Sequence, residues 1–338
     1  MLKPTTLSLE ENVELLRAAG EHTRLRLLAL LSAGDLTVTD LIEILGQSQP
    51  RISRHLKLLG EAGLLERYQE GAWAYFRLVE EGAVAKFAST LVSRIDPADP
   101  QVARDRERLE AVRSRRAEQA ANYFAENAES WDAIRSLHLD ESKVEKAMLE
   151  MVGNAPVQAM LDLGTGTGRL LELFDPVYVR AVGVDASRDM LSVARANLDK
   201  AGLSRVQVRQ GDIYLLPTPE GQFDLVTLHQ VLHYLDDPAS AIREAARALM
   251  PGGRLLIADF APHSLEFLRD EHRHLRLGFS HEQINGWLEE AGLETVEVRD
   301  LAAEGKSVQD RQDRLTVTLW LARDPRRLMA SANSTDKA

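Results

Sequence analysis

Between Leu161 and Leu170 three glycines, Gly164, Gly166 and Gly168, stand at alternate positions after the apolar run Gln158–Leu163, and the helical spacing of Leu170, Leu171 and Phe174 follows. A glycine-rich turn between a strand and a helix lets a ligand press against bare backbone beside a helix N-terminus. Asp185 ends the next apolar run, Val179–Val184, and lies 21 residues after Gly164. An acid about 20 residues on is where a sheet of this kind holds ribose hydroxyls. The spacing also discriminates between ligands. A dinucleotide loop carries its third glycine one residue later, where this chain has Arg169, and Asp162 stands two residues before the first glycine. A carboxylate there repels a pyrophosphate and suits a cationic amino-acid ligand.

Those residues need a scaffold of alternating strands and helices, and the pattern supplies one. Candidate strands fall at Gln158–Leu163, Val179–Val184, Val206–Arg209, Asp224–His229, Arg254–Ala258, Thr295–Arg299 and Leu315–Leu321. Helical stretches between them imply a parallel sheet. The last strand follows its predecessor without a crossover helix and is expected to run antiparallel. The fold class is α/β: a seven-stranded Rossmann-like domain over residues 119–326, preceded by a smaller α+β domain over 1–95. Asp96-Pro-Ala-Asp-Pro100 breaks the pattern, and the charged stretch Arg104–Arg116 reads as a solvated linker helix within 96–118. Residues 327–338 read as a disordered tail.

The chain has 338 residues, a net charge of −11 and no cysteine. Disulfides, thiolate metal sites and a cysteine nucleophile are thereby excluded. No apolar run approaches a membrane span, and the first residues lack a charged-then-apolar signal; a soluble cytoplasmic protein is expected. Overall acidity excludes blanket nucleic-acid affinity, so any DNA contact must come from a local basic patch.

Such a patch lies in the first domain. Helical patterns cover Leu9–Ala19 and His22–Ala33, a short helix near Val38–Leu45 stops at Gly46, and Ser48 and Pro50 start another helix. Ile52, Leu56 and Leu59 share one face of that helix; Gln49, Arg51, Ser53, Arg54 and Lys57 share the other. Leu64–Tyr68 and Trp73–Arg77, flanking Glu70-Gly71, read as a hairpin. These elements make a winged helix-turn-helix. Residues 47–60 hold Arg51, Arg54, His55 and Lys57 and no acid, the composition of a local DNA footprint.

The run Gln49-Pro-Arg-Ile-Ser-Arg-His-Leu-Lys-Leu-Leu59, with Glu61-Ala-Gly-Leu-Leu65, resembles the ArsR family of bacterial repressors over about residues 13–90. The resemblance implies a homodimer placing two recognition helices in successive major grooves of a DNA operator. Ser48, Gln49, Ser53 and Arg54 would then approach base edges, and Arg51, Lys57, Arg67 and Arg77 phosphates. Metal-sensing members carry paired cysteines where this chain has Asp35–Asp40, with Thr37 and Thr39. Hydroxyls are poor ligands for soft ions, which excludes thiolate sensing of arsenic or cadmium.

Asp162-x-Gly164-x-Gly166-x-Gly168 resembles the first motif of class I S-adenosylmethionine (SAM) methyltransferases. Gln210-Gly-Asp-Ile213, Phe223–Asp237 and Pro251–Asp259 resemble later motifs in family order, over about residues 120–322. The resemblance implies SAM as cofactor, with S-adenosylhomocysteine (SAH) as product or effector. It also implies that Asp212 bonds the adenine amino group, that Ile213 and Met190 cover the ring, and that a helix carrying Tyr123, Phe124 and Trp131 closes over the ligand. His229 and Gln230 end the fourth strand, facing the crevice where such sheets bind ligands. His229 is expected either as base or acceptor-positioning group, or as a hydrogen-bond partner of the cofactor's methionine part; His233 is expected to pack internally. His263, His272, His274 and His281, with Glu271, are too irregularly spaced for an expected metal site and read as solvated or acceptor-facing. The chain as a whole reads as a DNA-binding regulator whose second domain responds to SAM or SAH and methylates a small molecule. The alternative is a working methyltransferase whose winged helix serves dimerisation or autoregulation.

Overall fold

The computed structural model describes residues 6–70, 73–79, 82–128, 141–216, 218–302 and 315–326. Trp131, Glu70-Gly71 at its glycine, and the tail 327–338 singled out above lie outside them. The chain divides into two compact units, Met1–Gln119 and Ala120–Ala338.

In the first unit the helices Leu9–Ala19, His22–Leu31, Val38–Leu45 and Gln49–Glu61 surround a leucine-rich core. β1 (Leu36–Thr37), β2 (Leu65–Glu70) and β3 (Trp73–Leu78) form an antiparallel sheet in the order β1-β3-β2. Ser8 and Glu11 form a reciprocal cap on the first helix, and Thr37 and Asp40 do the same for the third. Gly46, at φ 64°, ends that third helix in the left-handed conformation that glycine adopts without strain. Leu27, Leu41, Ile44, Ile52 and Leu59 are fully buried, so the two helices of the helix-turn-helix are locked by apolar contact.

The charged stretch read as a solvated linker is one part of a longer helix, Pro100–Asn127. One face of its N-terminal half is buried rather than solvated. Leu109 and Val112, three residues apart, are buried in the first unit's core. Asp105, 3% exposed, takes a two-pronged ion pair from Arg26 at 2.5 and 2.7 Å. Arg108 donates to the carbonyl of Ile44, which neutralises an end of the third helix. Two apolar residues among charges are enough when a buried acid has its cation 79 positions away.

The second unit holds a seven-stranded sheet in the order β6-β5-β4-β7-β8-β10-β9. The strands are β4 (Val157–Leu163), β5 (Tyr178–Asp185), β6 (Val206–Gln210), β7 (Phe223–His229), β8 (Leu249–Phe260), β9 (Glu294–Ala302) and β10 (Thr316–Arg323). β4 to β8 are parallel; β10 inserts antiparallel between β8 and β9, as the missing crossover required. The central strands are continuous apolar runs because helices cover both faces. Strand order reverses between β4 and β7, which opens a crevice at their C-terminal ends.

One polar tie crosses that buried sheet. Asp162, 2% exposed, accepts from the Thr227 hydroxyl of β7 at 2.6 Å and from the Thr165 hydroxyl of the glycine turn at 2.7 Å. A buried carboxylate without such donors is strongly destabilising. Thr227→Val keeps the side-chain shape and removes one donor. It is expected to cost about 2 kcal/mol, read as a lower urea midpoint for the full chain by tryptophan fluorescence. An unchanged midpoint would mean that the tie carries no load.

Candidate functional site

The glycine turn begins where β4 ends. Gly164 (φ 69°) and Thr165 both donate their N–H groups to the carbonyl of Val184, at 2.8 and 3.0 Å. A Cβ on Gly164 would lie 2.4 Å from Val231, so the segment after β7 rests directly on the turn. Gly168 (φ 87°) opens the short helix Arg169–Leu173 and lies against Ala194, leaving little room for a side chain. Arg169 is held by Glu145 through two bonds of 2.6 Å and by Glu172 at 3.3 Å. These acids keep its guanidinium fully charged and draw the helix Glu141–Val152 onto the turn.

Asp185 lies at the end of β5, partly exposed. One of its oxygens accepts from the Gly166 N–H at 2.8 Å and the other from the Ser187 N–H at 2.8 Å. Each carboxylate oxygen has a further lone pair. Burial pushes the Asp185 carboxyl up, against the opposing pull of the Ser187, Gly166 and Ala186 N–H groups. The Gly211 N–H donates to the Asp185 carbonyl at 3.0 Å and brings the loop after β6 alongside. In that loop Asp212 is exposed, tied only locally to the Tyr214 N–H at 2.9 Å, and Ile213 packs against the core. Met190 is 2% exposed, in the first turn of the helix after Asp185, where the Ser187 hydroxyl caps its N–H.

At the end of β7, His229 and Gln230 are each 8% exposed. Gln230 adopts φ 52°, uncommon for a residue with a side chain, with its N–H on the carbonyl of Ala258 at 2.7 Å. His229 Nε2 lies 4.0 Å from Glu141 Oε2, and Gln230 Nε2 lies 3.5 Å from Glu141 Oε1. His233, 1% exposed on the next turn, bonds Asp259 Oδ1 through Nδ1 at 2.7 Å.

The chemistry of this crevice can be tested against the ligand that the sequence implied. Asp162, Asp185 and Asp212 are acids, and the nearby cation Arg169 is committed to Glu145 and Glu172. Acceptors whose neighbouring cation Arg169 is already paired suit hydroxyls, an adenine amino group and a positively charged sulfonium and ammonium. They do not suit a phosphate. The set therefore fits SAM. Of the sequence-derived residues, the glycine turn, Asp162, Asp185 and the Asp212 loop come together, with His229 and Gln230 on the neighbouring strand. Asp162 is buried beneath the turn, with its oxygens on two threonines, and acts first as an anchor. Thr165, Thr227, Glu141, Glu145 and Asp259 were not singled out. Their partners lie between 3 and 89 positions away in the chain, and only the acid ending the apolar run of β8 left a visible signal.

Other expectations fare differently. Tyr123 donates to or accepts from His272 Nδ1 at 2.7 Å, and Phe124 packs edge-on against Tyr234 at 4.8 Å. The histidines do not form one group: His281 pairs with Asp300 at 2.9 Å, His274 is buried against His233 rather than solvated, His272 lies beside His274, and His263 lies edge-on to Phe260. Among the described residues no three His, Asp or Glu side chains are arranged to hold a metal, and no helix is long and apolar enough to cross a membrane.

In the first unit, Ser48, Gln49, Arg51, Ser53, Arg54 and Lys57 all lie on the exposed face of the helix Gln49–Glu61. Ser48 stands at the cap position but makes no side-chain cap bond. Lys57 is 3.7 Å from Glu61. On the wing, Arg67 is exposed, with a bond to Gln69. Arg77 is half-buried, paired with Glu66 at 2.8 Å and placed over the Tyr68 ring.

Residues 21–67 match the sequence family of arsR-type bacterial regulatory proteins, and residues 161–257 match the methyltransferase domain family. The chain is 36% identical over 104 residues to an uncharacterized methyltransferase of Bacillus subtilis, covering 30% of this chain and 41% of that one. It therefore spans about two fifths of that relative's length. It is 31% identical over 176 residues to the ubiquinone/menaquinone biosynthesis C-methyltransferase of Vibrio cholerae, covering 43% of this chain and 68% of the relative. A chain from the complex of a Haloferax volcanii methyltransferase and its activator has the same fold, with a TM-score of 0.52, 22% identity and coverage of 62% of this chain and 100% of that one. The chain belongs to the methyltransferase family and carries an arsR-family helix-turn-helix ahead of its methyltransferase domain.

Proposed function

We propose that this protein is an ArsR-type DNA-binding regulator whose methyltransferase domain binds SAM and SAH, responds to them, and methylates a small molecule. The observation that carries the reading is the glycine turn pinned by Asp185 beside the exposed Asp212. SAM, when bound, supplies a methyl group made electrophilic by a positively charged sulfur. The chain's own residues supply the rest. Gly164, Gly166 and Gly168 admit the ligand to bare backbone, Asp185 accepts from ribose hydroxyls, and Asp212 accepts from the adenine amino group. Ile213 and Met190 line the adenine. Asp162 contributes negative potential from beneath the turn. His229 and Gln230 face the methionine part, or in the case of His229 the acceptor. Methyl transfer gains mostly from alignment and exclusion of water, which suits a cover formed by Tyr123 and Phe124.

In the first domain, Ser48, Gln49, Ser53 and Arg54 read base edges in a homodimer, while Arg51, Lys57, Arg67 and Arg77 meet phosphates. The ion pair of Arg77 with Glu66 weakens its share of that work. The alternative, a working enzyme whose winged helix only dimerises, is favoured by the buried His233–Asp259 pair, which a pure sensor does not need. The Vibrio relative's name as a C-methyltransferase is compatible with it.

Two outcomes test these assignments. Asp185→Ala is expected to weaken SAH binding by about 1.5–3 kcal/mol, measured by calorimetry on the full chain; unchanged affinity would remove Asp185 from the site. In selection from random DNA, the wild type is expected to enrich an inverted repeat with half-sites about one helical turn apart. Arg54→Ala relaxes the base preference, whereas Lys57→Ala weakens binding to all sequences and flattens the salt dependence. Enrichment of no motif would leave the winged helix without a DNA-reading role.

A further inference from the structure

Beyond the glycine turn, the second unit contains a buried group of rings around His233. The His274 ring lies 4.1 Å from that of His233, Phe260 lies 5.0 Å from His233, and Tyr234 packs against His274 at 5.1 Å. Asp259 is 0% exposed and His274 6%. Among the described residues, Asp259 Oδ2, His274 Nδ1 and His263 Nε2 are buried without a hydrogen-bond partner. Three such atoms gather in this one ring cluster, and each unmade bond is costly. They call for a polar group that enters from outside, and the arrangement of the side chains rules out a metal bridge among them.

The chemistry of His233 is set by its partner. Asp259 Oδ1 also accepts the Phe260 N–H at 2.8 Å, so the carboxylate is fixed and accepts from His233 Nδ1. That bond selects the tautomer with the proton on Nδ1 and leaves a lone pair on Nε2. The backbone of the turn is held as well, since the N–H groups of Leu275 and Arg276 both donate to the His233 carbonyl. Val231, two residues earlier, rests on Gly164. The dyad is thus anchored to the same turn that would hold the methyl donor.

We propose that His233 is a catalytic base oriented by Asp259, and that the site takes a planar, weakly acidic acceptor of the phenol class against the faces of His274, Tyr234 and Phe260. The inference rests on the methyl-transfer reading above. The acceptor O–H gives its proton to His233 Nε2 as its oxygen bonds to the methyl carbon. The electron pair of the breaking carbon–sulfur bond stays on sulfur, which becomes a neutral thioether, and the imidazolium then returns its proton to water. Asp259 acts through His233 Nδ1 and is a positioning residue. Burial holds His263 at about 4 and His274 well below the ordinary histidine range, so both of these rings stay neutral. The groups against His233 are Asp259, Tyr234, Phe260 and His274, with His263 close enough to interact electrostatically; His272 and Arg269 stand next to His274.

The test uses 4-nitrophenol, whose phenolate absorbs visible light, with the full chain and saturating SAH at pH 6. The wild type is expected to bind the probe saturably and to raise its phenolate-to-phenol ratio about tenfold over free solution, a shift of one pKa unit. His233→Gln and Asp259→Asn are expected to lose that shift while retaining SAH affinity. Should His233→Gln fail to fold, the isosteric Asp259→Asn carries the comparison. Equal phenolate fractions in wild type and both folded variants, or no saturable uptake of the probe, would overturn the proposal. A phenolate shift that persists when calorimetry detects no SAH uptake would overturn the cofactor reading and support the dyad.

Discussion

A carboxylate buried inside a sheet must be matched by donors, and Asp162 meets that constraint in a way that shapes the crevice. One oxygen takes the Thr227 hydroxyl of the neighbouring strand, and the other takes the Thr165 hydroxyl of the glycine turn. The turn is therefore tied to the two strands between which the sheet order reverses. From above, Asp185 takes the Gly166 N–H. From the side, Val231 fills the space that any side chain at Gly164 would need. The turn is held on three sides before any ligand arrives, which is the preorganisation that a site needs for affinity.

The same segments place polar chemistry beside the turn. β7 ends in His229 and Gln230, whose neighbour Glu141 comes from the helix before the sheet. The residues after β7 carry Val231 onto the turn and His233 into the ring cluster with Asp259 of β8. The glycine turn and an imidazole–carboxylate pair thus meet one backbone segment, Val231 to His233.

Local patterns were legible in the sequence, and long-range pairings were not. The three glycines and Asp185 stand at strand ends, where their spacing was legible, while Asp212 was pointed to by the family resemblance. The antiparallel last strand followed from a missing crossover. The anchor of Asp162 on Thr227 spans 65 positions, and that of His233 on Asp259 spans 26. Nothing local distinguishes those threonines or that histidine from ordinary core residues. The helix Pro100–Asn127 illustrates the same limit. Its charges suggested a solvated linker, but Arg26 neutralises Asp105 from 79 positions away, and Leu109 and Val112 complete the first unit's core.

The proposed regulation would run through that helix. Asp105, Leu109 and Val112 belong to the unit with the helix-turn-helix, and Tyr123 and Phe124 pack against His272 and Tyr234 in the methyltransferase unit. In the proposed function, a ligand that changes how Tyr123 and Phe124 pack would act on the helix that also carries Leu109 and Val112 of the first unit. Any such effect is bounded by the ligand's differential affinity for the two states, and DNA must alter ligand affinity by the same factor. The direct measurement is fluorescence anisotropy of a selected operator fragment titrated with the full chain, without ligand, with saturating SAM and with saturating SAH. The account predicts that at least one ligand moves the midpoint by about 5–150-fold. Three superimposable curves would contradict it and leave two domains that share a chain without sharing a function.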